Sequence, residues 1–583
     1  MDDFAWLGLR QQIYDWKDAL AALLSPMAQG TIRPFSERIY FLTLEWLFGI
    51  EALPFRIVGF ATQLLNLWLV LRLVERVTGS RAGGTAAALL WIVNSALAVS
   101  MSWTSAYNQI LWPCVMLAGC HARWTWLETG SRRARVTEWV CFLLGFGVLE
   151  LQVVYPAVAG ALTLLYHRER WRDLPPLFAV AGAYAVLNRS IAKPSGSAVY
   201  ALHWDLPSLL QTFGTYLRMA TGIWRPDVVR EMPGIWQAAE WTAGIGLAAA
   251  ITWLLWRRER WALFGMAWFA ATLAPVLPLK NHVSDYYLTA PVLGLAMAAG
   301  LAAARKPAWA IVPVVVYAAA TGWVSRATTL YNYERAEQNR ALFAGVREAA
   351  QLHPGKTILL TAVSSDQYWG LMNDSAFRLL EGVNVQLAPG GDANIIRHPE
   401  LGNPAHWVMD EGEAAANVSA GEALVYSPAG GKLRNVTAIW KNHLLRNMGR
   451  RLAAVVDAAK AAYASQLGEG WHAVDGAIRW ASGRVTVRVE ARPGAQTVMM
   501  EAFRPDEGGR RGPVTVEALV NGLPAGRWES AHDRQEVLLQ GPLPAGLDLG
   551  KPLTVEVRIS PVLQEGGAGG RALGLAFGKI GVR

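Results

Sequence analysis

Asp2 and Asp3 stand side by side at the start of the chain. A carboxylate ahead of an apolar run has two uses. It can take a proton from an acceptor hydroxyl as a general base, or it can cap a helix. A third acid, Glu150, follows a long apolar stretch and precedes Gln152 and Tyr155. It either lines a polar cavity or marks a loop at a membrane interface. The densest group is Leu279-Lys280-Asn281-His282-Val283-Ser284-Asp285-Tyr286-Tyr287, which brings together a cation, an imidazole, a carboxylate and two phenols. Lys280 and His282 suit a phosphate as point charges; Tyr286 and Tyr287 equally suit an interfacial aromatic belt. His282 has no second His at ligand spacing, so it is a poor metal candidate. No Walker loop, GxSxG elbow, HExxH or GxGxxG precedes a suitable helix, which argues against a nucleotide-driven cytosolic enzyme. The residues call for no cofactor, and a divalent cation is left open.

These groups need elements to hold them, and the distribution of charge says which. About ten apolar segments alternate with short polar links through residues 54–326. They run near 54–77, 83–101, 105–127, 136–150, 151–167, 174–191, 239–256, 261–279, 284–303 and 308–326. Each approaches the roughly 20 residues that cross a hydrocarbon core. The two short ones, 136–150 and 151–167, read as separate spans because Pro156 and the Glu150/Gln152 pair interrupt them. Arginines gather in every second link: Arg72, Arg76 and Arg81; Arg132, Arg133 and Arg135; Arg168, Arg170 and Arg172; Arg257, Arg258 and Arg260; then Arg305 with Lys306. Short basic loops stay cytoplasmic. One topology satisfies all five clusters and puts Asp2, Asp3, Trp103 to Asn108, Glu150, the loop at 192–238, Lys280 to Asp285 and everything after about 330 on the opposite side.

Composition fits: 53% of residues are hydrophobic and 17% charged, averaged over a membrane half and a soluble half, so the first half is more extreme. The net charge of +9 does not indicate nucleic acid. Much of it lies in the basic links, where it orients helices and meets anionic lipid, and no nucleic-acid-binding signature is present. The three cysteines, Cys114, Cys120 and Cys141, all fall in apolar segments as packing residues, so the exported half has no disulfide. With ten spans both chain ends face outward, and an additional span upstream of Met1 is expected to carry the amino end across.

Residues 1–53 read as an outer-face loop with interfacial helices. Ile13, Trp16, Ala19, Leu20 and Leu23 fall at helical spacing within Gln11 to Leu24, as in an amphipathic helix lying on a membrane. A second such helix is expected over Ser36 to Gly49, which carries Glu37, Arg38 and Glu45. The transmembrane domain is expected over 54–330. A soluble α/β domain follows over 331–468: a polar helix Tyr331 to Leu352, strands near Thr357 to Val363, Asn384 to Leu387 and Ala423 to Tyr426, and a helix Asn442 to Leu467. The last region, 469–583, reads as a β-sandwich, with strands near Val485 to Val489, Val514 to Val520, Gln535 to Leu539, Leu553 to Ile559 and Leu573 to Val582. Trp471 and Trp480 could stack on sugar rings, although core packing is the commoner use.

Thr31-Ile-Arg33-Pro34-Phe35, Leu47-Phe48-Gly49-Ile50, Leu53-Pro54-Phe55-Arg56 and Asn66 resemble the start of GT-C superfamily membrane glycosyltransferases, closest to the protein O-mannosyltransferase-like branch and its bacterial relatives. Trp103 through Tyr107-Asn108 to Leu111 resembles that group's outer loop. Glu150 to Pro156 resembles its short outer turn. Leu273-Ala-Pro275 through Asp285-Tyr286-Tyr287-Leu288 to Gly294 resembles its late tyrosine-containing span. The resemblance covers residues 1–330 and implies a bacterial inner-membrane enzyme with a periplasmic tail. It implies an acidic base in the first outer loop, where Asp2 and Asp3 stand, and a polyprenyl-phosphate sugar as donor. The acceptor would be a glycan or protein hydroxyl, with inversion at the anomeric carbon. Tyr107, Asn108, Glu150, Gln152, Lys280, His282, Asp285, Tyr286, Arg218 and Arg225 are the candidate substrate-binding residues, the cations among them for phosphate. The chain departs from the family at Arg56, where several relatives have His, and near Tyr107, where a charged pair is absent. A non-catalytic scaffold binding lipid or glycan is the alternative. A transporter is disfavoured, because no internal repeat is visible.

Overall fold

A computed structural model describes residues 3–26, 31–191, 200–224, 234–305, 307–398, 401–447, 452–492, 494–504, 513–530, 535–564 and 572–583. The chain divides into two compact units, Met1–Glu337 and Gln338–Arg583.

The first unit is helical. Its helices are α1 Asp3–Leu7, α2 Trp16–Leu24, α3 Tyr40–Phe48, α4 Ala52–Thr78, α5 Arg81–Ile92, α6 Leu97–Ser102, α7 Tyr107–Thr129, α8 Arg132–Phe146, α9 Tyr155–Tyr166, α10 Pro175–Ile191, α11 Leu206–Ala220, α12 Gly234–Trp256, α13 Arg260–Leu273 and α14 Pro291–Arg305. Helix α15, Pro307–Leu352, gives residues to both units. Each of the ten apolar segments is helical, but among the described residues two helices, Ala52–Thr78 and Gln237–Trp256, are long and apolar enough to cross a membrane by length and composition. Helix α7, with 23 residues, has the length without the hydropathy, and several of the others are shortened at identifiable places. Helix α5 stops before Asn94, whose side-chain oxygen takes the Ala96 N–H at 2.9 Å. The segment expected from residue 284 is one 3-10 turn, Asp285–Leu288, before α14 begins at Pro291.

Two of the basic links share one device. Thr78-Gly79-Ser80 and Thr129-Gly130-Ser131 end α4 and α7 with a left-handed glycine, φ 71° and 66°. The serine side chain of each then caps the next helix, at Gly83 N and Ala134 N. Glycine suits the first role and serine the second. Small residues let the helices close up. A Cβ on Gly84 would strike the Leu71 backbone, one on Gly300 the Ala87 backbone, and one on Gly294 the Gly265 carbonyl.

The second unit begins with a four-stranded sheet in the order β2-β1-β3-β4 (β1 Thr357–Leu360, β2 Val385–Leu387, β3 Ala423–Ala429, β4 Lys432–Asn435). Strand β1 runs parallel to β2 and β3, and helices α17 Glu411–Ala420 and α18 Thr437–Asn447 flank β3; α16 is the short turn Ser365–Gln367. Of the helix expected over 442–467, residues 442–447 are helical as part of α18, but residues 455–457 are not. Helix α18 is described as far as Asn447, and Val455–Asp457 is a strand, β5, paired with Lys579–Gly581. The alanine-rich sequence favours helix, but Ala453, Ala454, Val456 and Tyr463 join the core of the β-rich region, and tertiary burial overrides the local preference.

Among the described residues that region holds two larger antiparallel sheets and a two-stranded one, β14 Leu563–Gln564 with β15 Ala572–Leu573. One is ordered β11-β10-β13-β8 (β8 Arg484–Val489, β10 Val514–Val520, β11 Leu523–Ser530, β13 Leu553–Ser560). The other is ordered β12-β9-β16-β7-β6 (β6 Trp471–Asp475, β7 Ile478–Ala481, β9 Thr497–Arg504, β12 Gln535–Pro542, β16 Ala576–Val582). Alternate residues such as Val485, Val487 and Val489, and Val514, Val516 and Ala518, face one core shared with Val498, Met500 and Phe577. This is the period-2 pattern of a half-buried strand.

Candidate functional site

The helices of the first unit sort its links into two ends. At one end the basic links meet. Arg76 at the end of α4 pairs with Glu128 near the end of α7 at 2.9 Å. Arg135 at the start of α8 bonds the Asp173 carbonyl at 3.0 Å. Arg305 at the end of α14 pairs with Glu259 before α13. Behind them Arg123 and Glu138 are fully buried, held by Thr163, Arg135 and Tyr155. The sequence reading missed this pair.

The other end collects the acids and aromatics. Helix α1 is anchored by buried Trp6 and Leu7, with Leu9 buried beyond it, and the Arg38 guanidinium lies 5.5 Å from the Trp6 ring. This fixes Asp3 against the start of α7. Asp3 Oδ1 accepts from the Ser105 amide at 2.7 Å and from the Ser105 hydroxyl. Burial raises the Asp3 pKa above the ordinary carboxylate value, and the two Ser105 bonds and then the nearby Arg56 charge act against that rise. The Arg56 Nη1 donates to the Met101 carbonyl at 3.0 Å. Arg56 lines a small pocket with Tyr40, Phe55, Gly59, Phe60, Ser100, Met101, Trp103, Thr104 and Tyr107. Tyr107 stacks on Tyr40 at 4.1 Å between centroids, and its hydroxyl meets Thr62 at 3.0 Å.

Next to this lies an ion triad that the sequence reading did not assemble. Arg33 grips Glu150 with two bonds, 2.7 and 2.6 Å, and Glu37 with a third, 2.6 Å. Asn108 donates to the same Glu37 oxygen at 3.3 Å. Burial raises the Glu37 pKa, with Arg33 opposing. For Glu150 burial also acts upward, but Arg33 more than offsets it and the pKa is lowered. The backbone explains the fit. Phe35 N bonds the Gly147 carbonyl at 3.0 Å and Ser36 Oγ the Val148 carbonyl at 2.6 Å, locking the Pro34–Ile39 turn to the α8–α9 link. Gly147 has to be glycine, because a Cβ there would meet the Phe35 ring at 2.6 Å. The signal available in sequence was Arg33 and Glu37 at i, i+4 spacing.

The Lys280–Tyr287 group reaches the same end. His282 Nε2 and the Tyr286 hydroxyl are 2.9 Å apart, and the Tyr286 ring meets Trp103 edge-on at 5.6 Å. Asp285 is buried and accepts from Ser284 Oγ at 3.4 Å. Lys280 Nζ donates to Ser208 Oγ at 3.4 Å. Asp3, Tyr107, Asn108, Glu150, His282 and Tyr286 are thus brought into one connected region.

Two candidates are not. Gln152 is fully buried, accepts from Trp112 Nε1 at 2.9 Å and donates to the Phe142 carbonyl at 3.3 Å, so it joins helices rather than facing a substrate. Arg218 is held by both Glu240 oxygens, at 2.5 and 3.1 Å, and lies over the Trp224 ring. Asp2 and Arg225 lie outside the described residues. Among the described residues no group of three or more His, Cys, Asp or Glu is arranged to hold a metal. In the second unit, Trp471 packs edge-on against Phe577 in the core.

No protein-family profile matches this chain, and no curated protein matches it. Among solved structures the chain is similar to ArnT from Cupriavidus metallidurans, determined bound to undecaprenyl phosphate. The identity is 14% and the TM-score 0.41, over 73% of this chain and 88% of that one. At that degree of likeness, a functional reading has to rest on the residues of this chain.

Proposed function

We propose that the chain is a membrane glycosyltransferase of the GT-C type. In this reading it takes a sugar from a polyprenyl-phosphate donor and passes it to an acceptor hydroxyl of a glycan or protein on the extracytoplasmic face of a bacterial inner membrane. Residues 469–583 serve as an exported β-sandwich. The observation that carries the reading is the Asp3 carboxylate, fixed by Ser105 beside a pocket lined by Arg56, at the end of the helical unit opposite the basic links. Together with the motifs that resemble the superfamily, it gives a base, a neighbouring cation and an aromatic wall in one place.

The chemistry is a single displacement. The acceptor oxygen attacks the anomeric carbon while its proton passes to Asp3. The bond from that carbon to the phosphate oxygen breaks, and polyprenyl phosphate leaves with the electron pair. Attack opposite the leaving group inverts the anomeric centre. Ser105 holds Oδ1, so Oδ2 is the oxygen that takes the proton. The Arg33–Glu37–Glu150 triad is a scaffold that holds Asn108 and the outer turn in register.

The test is sugar transfer by the full chain in lipid nanodiscs. Asp3→Asn keeps the shape but cannot accept a proton, and a general base is worth roughly 10²–10⁴ in rate. A loss of that size in Asp3→Asn supports the assignment, with Asp2→Asn as the comparison. Transfer that survives both substitutions ends it and leaves the non-catalytic scaffold.

A further inference from the structure

Glu37 and Asn108 each bury an oxygen that finds no donor. Glu37 is 2% exposed and Asn108 5%. Asn108 Nδ2 donates to Glu37 Oε1 at 3.3 Å, and Arg33 Nη1 donates to the same oxygen at 2.6 Å. Among the described residues, Glu37 Oε2 and Asn108 Oδ1 meet no hydrogen-bond donor. A buried acceptor left bare is costly, and a buried carboxylate oxygen more so.

The charges around Glu37 do not supply that donor. Arg33 gives one bond to Glu37 and two to Glu150, so one cation is shared between two carboxylates. Arg38 is fully buried, but its Nη groups donate to the Leu23 and Thr31 carbonyls. Ser36, on the other side, donates to the Val148 carbonyl. One proton on Glu37 Oε2 resolves both bare oxygens. A carboxylic acid and a primary amide close a ring of two hydrogen bonds, here Nδ2–H to Oε1 and Oε2–H to Oδ1. Oε1 already accepts from Arg33 and Asn108, so it is the carbonyl oxygen of the acid and the proton belongs on Oε2.

We infer that Glu37 is held as a neutral acid that hydrogen-bonds Asn108 Oδ1, and that this acid–amide pair positions the start of α7. Burial favours the neutral form; the Arg33 charge opposes it, Glu150 reinforces it, and Arg38 opposes it more weakly. A carboxylic acid kept neutral in order to donate a hydrogen bond is a known use of such burial. Asn108 lies in the first turn of α7, three residues after Ser105, whose amide and hydroxyl hold Asp3 Oδ1. The Pro34–Ile39 turn that carries Glu37 is itself locked to Gly147 and Val148. Glu37 therefore ties α7 to a fixed frame. Ionisation would set a charged oxygen against the amide oxygen and open the pair. Under the glycosyltransferase reading above, on which this consequence alone rests, Glu37 is a positioning residue. Loss of its proton loosens Ser105 and with it the base, and the rate falls on the alkaline side.

The experiment records infrared difference spectra of the full chain in nanodiscs at neutral pH, wild type against Glu37→Gln. Glutamine keeps the shape and both hydrogen bonds, with its Nε2 donating to Asn108 Oδ1. Wild type is expected to show a protonated-carboxyl C=O band that Glu37→Gln removes. Asn108→Leu should move that band to higher frequency, because the acid loses its hydrogen bond. Thermal melts give a second readout. A raised folded-state pKa favours folding below 4.5, and the advantage is lost as pH rises through the folded value. Glu37→Gln carries no such loss, so its melting temperature should match wild type below pH 4.5 and exceed it at neutral and alkaline pH. Three results overturn the pair: no such band in wild type, a band that Asn108→Leu leaves in place, or a Glu37→Gln chain that fails to fold or melts below wild type at neutral pH, as an ionised partner of Arg33 would require. Sugar transfer separates the two claims, since its alkaline fall should be present in wild type and absent from Glu37→Gln. A chain with the band but no transfer keeps the pair and ends the glycosyltransferase reading; transfer by a chain without the band does the reverse.

Discussion

Under the proposed function Asp3 would be the base, and it has a fixed position and an elevated proton affinity. The rate should therefore fall on acidification at a higher pH than an ordinary carboxylate would give, because the base must be charged and burial raises its pKa. Removing the Arg56 charge should move that acid limb further up. Stability carries the opposite sign. A raised folded-state pKa means that Asp3 favours the folded chain when protonated, an advantage present below 3.8 and lost as pH rises through the folded value. Asp3→Asn is accordingly expected to be slightly more stable than wild type near neutral pH, with the gain vanishing toward pH 4; thermal melts across pH check it. Arg33 is the opposite case. Arg33→Ala leaves buried Glu37 and partly exposed Glu150 without their partner, a loss of up to about 3 kcal/mol, the low end for a broken buried pair. Adding Glu150→Gln should return part of it, as read by chemical denaturation in micelles.

Among the helices, close approach is set by glycine. A Cβ on Gly294 or Gly300 would enter the backbone of α13 or α5, whereas Gly246 in α12 has open space around it. Gly294→Leu and Gly300→Leu are expected to lower the melting temperature sharply or prevent folding. Gly246→Ala should be neutral or stabilising by about 0.5–1 kcal/mol. Periodicity could show that these segments are helices but not which glycine faces a neighbour, since contact partners lie far away in the chain. The same limit explains the 442–467 segment. Its alanines favour helix locally, yet Val455–Asp457 pairs with a strand more than a hundred residues on. It also explains α15, where neither Gly322 nor the change from apolar to polar composition near Arg326 ends the helix.

For the chain as a whole, the proposed sidedness is open to labelling. In a variant with Cys114, Cys120 and Cys141 replaced, Gln12→Cys and Lys551→Cys, both at exposed positions, are expected to react with an impermeant maleimide in intact cells. Arg133→Cys, exposed at the basic end, should react only after lysis. Reaction of Gln12→Cys and Arg133→Cys from the same side would refute the topology and with it the enzyme. Within the helical unit the two ends are opposed because helices such as α4, α7, α8 and α14 each have a basic link at one end and a polar one at the other, an alternation legible from arginine spacing.

Charge order and hydropathy thus sufficed to place the ten apolar segments as helices, for the two-ended distribution of basic and acidic groups, and for the positions of five strands of the tail, β8, β10, β12, β13 and β16. These depend on nearest-neighbour patterns and on the cost of placing charge in lipid. Which residues meet was another matter. That Arg33 clasps Glu150 across 117 positions, that Ser105 holds Asp3, that Gln152 bonds Trp112 and that half-exposed Arg218 pairs with Glu240 follow from packing between distant helices, which no local pattern encodes.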